Sequence, residues 1–259
     1  MTRHIPLALA FVAALFLVAP MAIIVPMSFS SAISFEFPPP GYSIGYYKDY
    51  FTNPSWLDAT FNSFVIALGS AVFTHMVAFP AAFGFVRHQF YGRSAFNLLI
   101  MVPVIVPAVV SALGYYGFLS LVHLVGTRTG MIVAHSVLSI PIAFLVLTAT
   151  LKGFDRNLER AAMNAGAGPL RTFLFVTLPV LRPGLLVGAL FAFLHSFNEA
   201  VVAIFIAGRD ASTLPKKMFE SIRLESDPVI AVVSTLLTGT VFLGVLVSVF
   251  IRRRPANAH

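Results

Sequence analysis

The stretch LKGFDRNLERAAMNAGAGPLRTFLFVTLPVLRPG, residues 151–184, decides how this chain is read. It holds a polar island, Lys152 to Arg182, set between two long apolar stretches. Asp155 is placed to cap a short helix through Leu158, Glu159, Ala161, Ala162 and Met163. Gly166 and Gly168 stop that helix, and Pro169 suits the first turn of a second one. The second helix is expected to end near Leu178-Pro179, with Pro183-Gly184 opening the next apolar segment. A helix–glycine–helix element outside the bilayer, in a chain otherwise nearly all membrane, offers a handle to something soluble.

The surroundings of the island justify that last phrase. Of 259 residues, 58% are hydrophobic and only 10% charged, and the mean hydropathy is +0.88. A soluble domain carries about twice that charge. With no cysteine there are no disulfides, thiolate metal sites or thiol nucleophiles. The net charge of +7 and pI near 10.1 do not point to nucleic acid, because the cations are dispersed and gather at membrane edges. The chain has no room for a large soluble domain, so catalytic power has to come from a partner.

A membrane-spanning helix needs roughly 20 mainly apolar residues. Six stretches qualify, near 5–29, 60–86, 95–121, 129–150, 184–207 and 228–251, and predict an all-α integral membrane protein. Pro80, Pro103, Pro107 and Pro141 lie inside them and kink helices where neighbours can satisfy the freed carbonyls. The one Trp, Trp56, and Tyr46, Tyr47 and Tyr50 fall in the first long loop, where interfacial aromatics belong. With both termini inside, eleven of the 17 Lys and Arg are inner, among them Arg3, Arg87, Arg160 and Arg252 to Arg254, and six are outer. The positive-inside rule then puts residues 151–184 in the cytoplasm. The first apolar run is too long for a signal h-region and lacks a small-x-small cleavage site, so an uncleaved span is expected.

Glu199 is the only acid inside a predicted span, and burying a charge there costs a few kcal/mol even on insertion scales. It follows His195, Ser196 and Asn198, with His195 one helical turn earlier. Two readings stay open: an internal His195–Glu199 pair that fixes packing, and a polar patch on a translocation path that accepts a cation. His75 and His135 also lie in spans, without a companion at ligand spacing, and are expected to hydrogen-bond between helices. Residues 215–225, with Met218, Phe219 and Ile222 on one face, read as an interfacial helix on the outer side.

Ala161-Ala162, Gly166-Ala167, Phe173, Thr177-Leu178-Pro179 and Pro183 resemble the EAA loop of bacterial ABC importer permeases. The resemblance implies a coupling helix that docks in a groove of a separate ATPase subunit, with Glu159, Arg160, Ala161, Ala162, Gly166, Ala167, Leu178 and Pro179 as the coupling positions. One departure stands out: the family's Glu before the two alanines falls on Arg160, and Glu159 lies one place earlier. Whether Glu159 takes over that role stays open. Ser196-Phe197-Asn198-Glu199, Thr213-Leu214-Pro215, Met218 to Arg223, Asp227-Pro228 and Ala231 to Leu237 are similar to permeases of the spermidine/putrescine type. Many of those carry an acid where Asn198 stands here.

The resemblance implies a type I importer transmembrane domain: a first helix and outer loop over 1–56, a transmembrane core over 57–251 and a cytoplasmic tail over 252–259. It implies a bacterial inner-membrane subunit, not itself an enzyme, working with a second permease, an ATPase dimer that binds ATP and Mg, and a solute-binding protein. The cargo would be a polyamine or similar organic cation, with Glu199, Asn198, His195 and Ser196 on its path. No G-x-x-x-x-G-K-[ST] occurs, so no P-loop is present in this chain. An ion-coupled transporter fits less well, having usually several buried ionisable groups and inverted repeats. An intramembrane enzyme fits no better, for HExxH and GxSxG are both missing.

Overall fold

The structure is a computed structural model that describes residues 4–225 and 227–252. Arg3, Arg253 and Arg254, which enter the orientation count, and the rest of the tail lie outside the described residues. All named elements are helical. In chain order they are α1 (His4–Ser28), α2 (Gly45–Thr52), α3 (Pro54–Arg87), α4 (Arg93–Ile105), α5 (Ala108–Leu121), α6 (Arg128–Lys152), α7 (Asn157–Asn164), α8 (Pro169–Thr172), α9 (Leu178–Asn198), α10 (Val201–Ile206), α11 (Leu214–Glu220) and α12 (Val229–Arg252).

The chain divides into two compact units, Met1–Leu57 with Met218–His259, and Asp58–Lys217. In the first, α1 packs on α12 and α12 on α2. Trp56 is not an exposed interfacial aromatic: it is 1% exposed, lies tilted beside Tyr50 and donates its Nε1–H to Asp227 Oδ2 at 3.3 Å. The ring therefore ties the first turn of α3 to the segment before α12.

In the second unit α6 is the core. Thr127 caps it by accepting from Gly130 N–H at 3.0 Å. Of its apolar window 61% is buried, against 17% for the helical run that contains α9. One cluster joins Ile66 of α3, Leu119 of α5, Met131, Ala134 and Leu138 of α6, and Val202 and Ile206 of α10. A second sets the small Ala78 and Ala82 of α3 against Phe144, Leu147 and Leu151 of α6 and Leu181 of α9. Alanines at the crossing let α3 approach closely enough for the large α6 side chains to fill the gap. Large apolar residues on the outer faces, such as Leu68 at 62%, Leu99 at 69% and Leu186 at 70% exposure, suit a lipid surrounding.

The spans differ from the six even segments expected. Among the described residues four helical runs are long and apolar enough to cross a membrane: Phe11–Ser28, Pro54–Arg87, Arg128–Lys152 and Pro169–Asn198. The stretch near 95–121 is two helices bent by 104°. Pro107 sets where the run breaks, since the residue before a proline is driven out of the helical region and Val106 is extended at ψ 131°. The stretch near 184–207 is broken too, at Glu199, whose ψ of 107° ends α9 before α10 begins. Conversely, the stop expected near Leu178-Pro179 does not occur. Phe173–Thr177 forms a π turn, Leu178 N–H reaching Phe173 O, and α9 continues through Pro179 and Pro183. Pro179 has no N–H to give to the preceding turn, and the π turn lies immediately ahead of it.

Candidate functional site

The island folds as a compact hairpin of short helices. Asp155 Oδ1 accepts from Asn157 N–H at 2.9 Å and so opens α7 one residue ahead of its cap. At the other end Gly166 N–H bonds Met163 O and Ala167 N–H bonds Ala162 O, both at 3.0 Å. Those two bonds define a Schellman stop, with Gly166 left-handed at φ +91°. Gly168 is ordinary extended backbone before Pro169.

Glu159 faces inward from α7. Its Oε1 lies 2.6 Å from Arg87 Nη2 and its Oε2 2.9 Å from Nη1, a two-pronged ion pair with side chains only 17% and 6% exposed. Thr177 at the end of the π turn donates its hydroxyl to Oε1 at 2.6 Å. The guanidinium lies over the rings of Phe83 and Phe154 at 5.1 and 5.3 Å. Phe83 meets Phe173 edge-on at 5.9 Å. One carboxylate thus holds the end of α3, the first turn of α7 and the π turn before α9.

Arg160, by contrast, is exposed, and so are Ala161 and Pro179, while Ala162, Ala167 and Leu178 are half-buried. Glu159 to Ala162, Gly166 and Ala167 lie on α7 and its C-terminal turn, while Leu178 and Pro179 open α9. Leu158 and Met163, 43% and 45% exposed, are apolar on its open surface.

The second group gathers at the α9–α10 break. Glu199 does not pair with His195. Its Oε1 accepts Val202 N–H at 3.0 Å, capping α10, because the break frees the first amides of that helix. His195 Nδ1 instead meets Ser139 Oγ at 3.2 Å, and Ser139 gives its own proton to His135 O at 2.8 Å, which makes the imidazole the donor. Ser196 is buried and bonds His135 Nδ1 at 2.9 Å. So Ser196 belongs to the α6–α9 seam, together with the other face of His195. His195, Asn198 and Glu199 also line, with Ile142, Phe191 and Leu194, an open hollow of about 410 Å³. His135 does bridge helices as expected; His75 bonds Ala71 O within its own helix.

Sequence reasoning placed Arg87 only in a charge count and Thr177 only in a motif. The available signal was Arg87 closing a long apolar run rich in phenylalanine, a cation with nearby rings to cover it. Asn62 was missed altogether: its amide donates to Asp210 O and Ser212 O at 3.1 and 3.0 Å and ties α3 to the loop after α10. Among the described residues no group of three or more His, Asp or Glu is arranged to hold a metal.

The putrescine transport system permease protein PotI of Escherichia coli (strain K12) is 32% identical over 208 residues, 78% of this chain and 74% of that protein. The spermidine/putrescine transport system permease protein PotC of Haemophilus influenzae is 26% identical over 222 residues, covering 85% and 84%. The fold resembles that in the crystal structure of a bacterial ABC transporter involved in the import of the acidic polysaccharide alginate, with a TM-score of 0.72 at 16% identity over 96% of this chain and 95% of that one. Inward-facing MetNI, a methionine ABC transporter, gives 0.59 at 17% identity over 76% and 94%. The family model for the binding-protein-dependent transport system inner membrane component matches residues 7–254. The chain belongs to that family and has the all-helical fold of type I ABC importer permeases.

Proposed function

We propose that this permease passes a polyamine or similar small organic cation, handed over by a solute-binding protein and driven by a separate ATPase dimer that binds ATP and Mg. The observation that carries the cargo's charge is the hollow at the α9–α10 break, where Glu199 and Asn198 stand among Ile142, Phe191 and Leu194. One carboxylate oxygen caps α10, leaving the other to meet an ammonium group. At a partly dry site a pair of charges ~4 Å apart attracts by about 4 kcal/mol, against about 1 in bulk water. The names of the putrescine and spermidine/putrescine relatives support the same cargo.

In this reading α7 docks on the ATPase from the cytoplasmic side, with both termini cytoplasmic and six crossings in all. The bent α4–α5 pair counts as one crossing, and α9 with α10 as another that is broken at the cargo path. A second permease completes the path, and the division into 1–56, 57–251 and 252–259 follows the same plan. Glu199 has a second reading, as a structural cap alone, which its bond to Val202 N–H favours. The test is ATP-driven uptake of labelled putrescine by the full complex in vesicles. Glu199→Gln keeps the cap, since an amide oxygen still accepts, yet should raise the KM for a cation about tenfold. Unchanged uptake in that variant would leave the cap as the only role.

A further inference from the structure

We propose that Arg87 is a positioning residue for energy coupling, the point through which movement of α7 reaches the membrane helices. This rests on the reading that α7 docks on the ATPase, and adds what lies behind the docking surface.

The argument starts from where Glu159 points. A carboxylate available to a docking partner would lie on the outer face of α7, beside exposed Arg160. Glu159 lies on the opposite side, clasped at 2.6 and 2.9 Å by the two prongs of Arg87 and at 2.6 Å by Thr177. Withdrawing it toward a partner would strand a guanidinium that is only 6% exposed. The carboxylate is therefore an internal fastening.

What it fastens matters more. Arg87 ends α3, a 34-residue helix, and Thr177 ends the π turn that runs straight into α9. A fork-to-fork guanidinium–carboxylate pair fixes direction as well as distance. Phe83 and Phe154 cover the guanidinium and restrict its tilt. A push on α7 is delivered to α3 and α9 together, and α9 ends at the Glu199 break. Without the pair, α7 keeps its packing on the π turn and α8 and the Thr177 bond, but loses its fastening to the end of α3.

The experiment uses the full importer in vesicles and measures uptake together with ATP hydrolysis. Arg87→Gln and Glu159→Gln should each lower uptake per ATP hydrolysed about tenfold while the ATPase subunit still co-purifies. The double variant should be no worse than either single, because both remove one shared interaction. Thr177→Val, which leaves the ion pair in place, should give a smaller loss of the same kind and serves where the charge variants fold poorly. Three results would overturn the proposal. Coupling could stay normal in Arg87→Gln and Thr177→Val; Glu159→Gln alone could uncouple, placing its contact on the ATPase; or the ATPase could be lost from every variant, making the pair a structural staple. The docking reading has its own check. The chain has no cysteine, so Met163→Cys gives a single thiol for cross-linking to the ATPase. No cross-link in an otherwise unaltered chain counts against docking and leaves the Arg87 ratio to be judged separately.

Discussion

Glu159 and Glu199 lie in the same unit of the molecule and are treated in opposite ways. Glu159 has both oxygens held by Arg87 and one of them also by Thr177. Glu199 has one oxygen on the amide of Val202 and faces an open hollow. The first arrangement uses a charge to hold three elements rigidly. The second leaves one carboxylate oxygen without a hydrogen bond beside an open hollow. The difference shows that an acid in a membrane protein is read by its partners and not by its depth. Glu199 draws notice as the one acid inside an expected span, yet the more completely engaged carboxylate is Glu159, in the polar stretch between two apolar ones.

Removing one side of the ion pair should have the largest effect. Arg87→Ala leaves Glu159 in a poorly hydrated site without its cation, a loss on the order of 3 kcal/mol to the local fold. Hydrogen exchange over residues 151–184 should quicken correspondingly, while α10 stays protected; equal loosening at both places would dissolve the contrast.

Gly166→Val should come next. Nothing lies within 4 Å of where its Cβ would stand, so crowding plays no part and the effect is conformational. A branched residue at φ +91° costs about 1–2 kcal/mol. Stimulated ATP hydrolysis should fall while membrane insertion survives, and Gly166→Asn, which tolerates the left-handed region, should lose less than half as much. Equal losses for the two would mean that the left-handed stop is not what matters.

Glu199→Gln should barely change stability, within about 0.5 kcal/mol, since the cap survives. Its effect should lie in uptake of cations. His195→Gln should be the mildest for transport, because His195 bonds Ser139 across the α6–α9 seam instead of pairing with Glu199. If His195→Gln reproduces the Glu199→Gln defect, the two act as a unit and the separation drawn here fails.

Much of this was legible from residue order. The Gly166 stop and the Pro169 start follow from local backbone preference, and the structure has both. Periodicity and apolar length located the helices, because those signals depend on residues close in the chain. The breaks were less visible. Pro107 was noted as a kink, but a 104° bend depends on what each half packs against, α4 on α6 and α5 on α10. Pro179 and Pro183 looked like a boundary, and the π turn before them removes it. The Arg87–Glu159 pair joins residues 72 apart, so residue order shows the cation beside its phenylalanines but not its partner. Glu199 was seen as unusual, but its cap on α10 appears only once the helix is known to break there.

The most direct test measures uptake of putrescine and ATP hydrolysis together, in the same reconstituted importer, for Glu159→Gln and Glu199→Gln. The account predicts two different defects. Glu159→Gln should lower the uptake obtained per ATP at every putrescine concentration. Glu199→Gln should raise the concentration needed for half-maximal uptake about tenfold and leave the ratio at saturation unchanged. The same defect in both variants, in either measure, would contradict it.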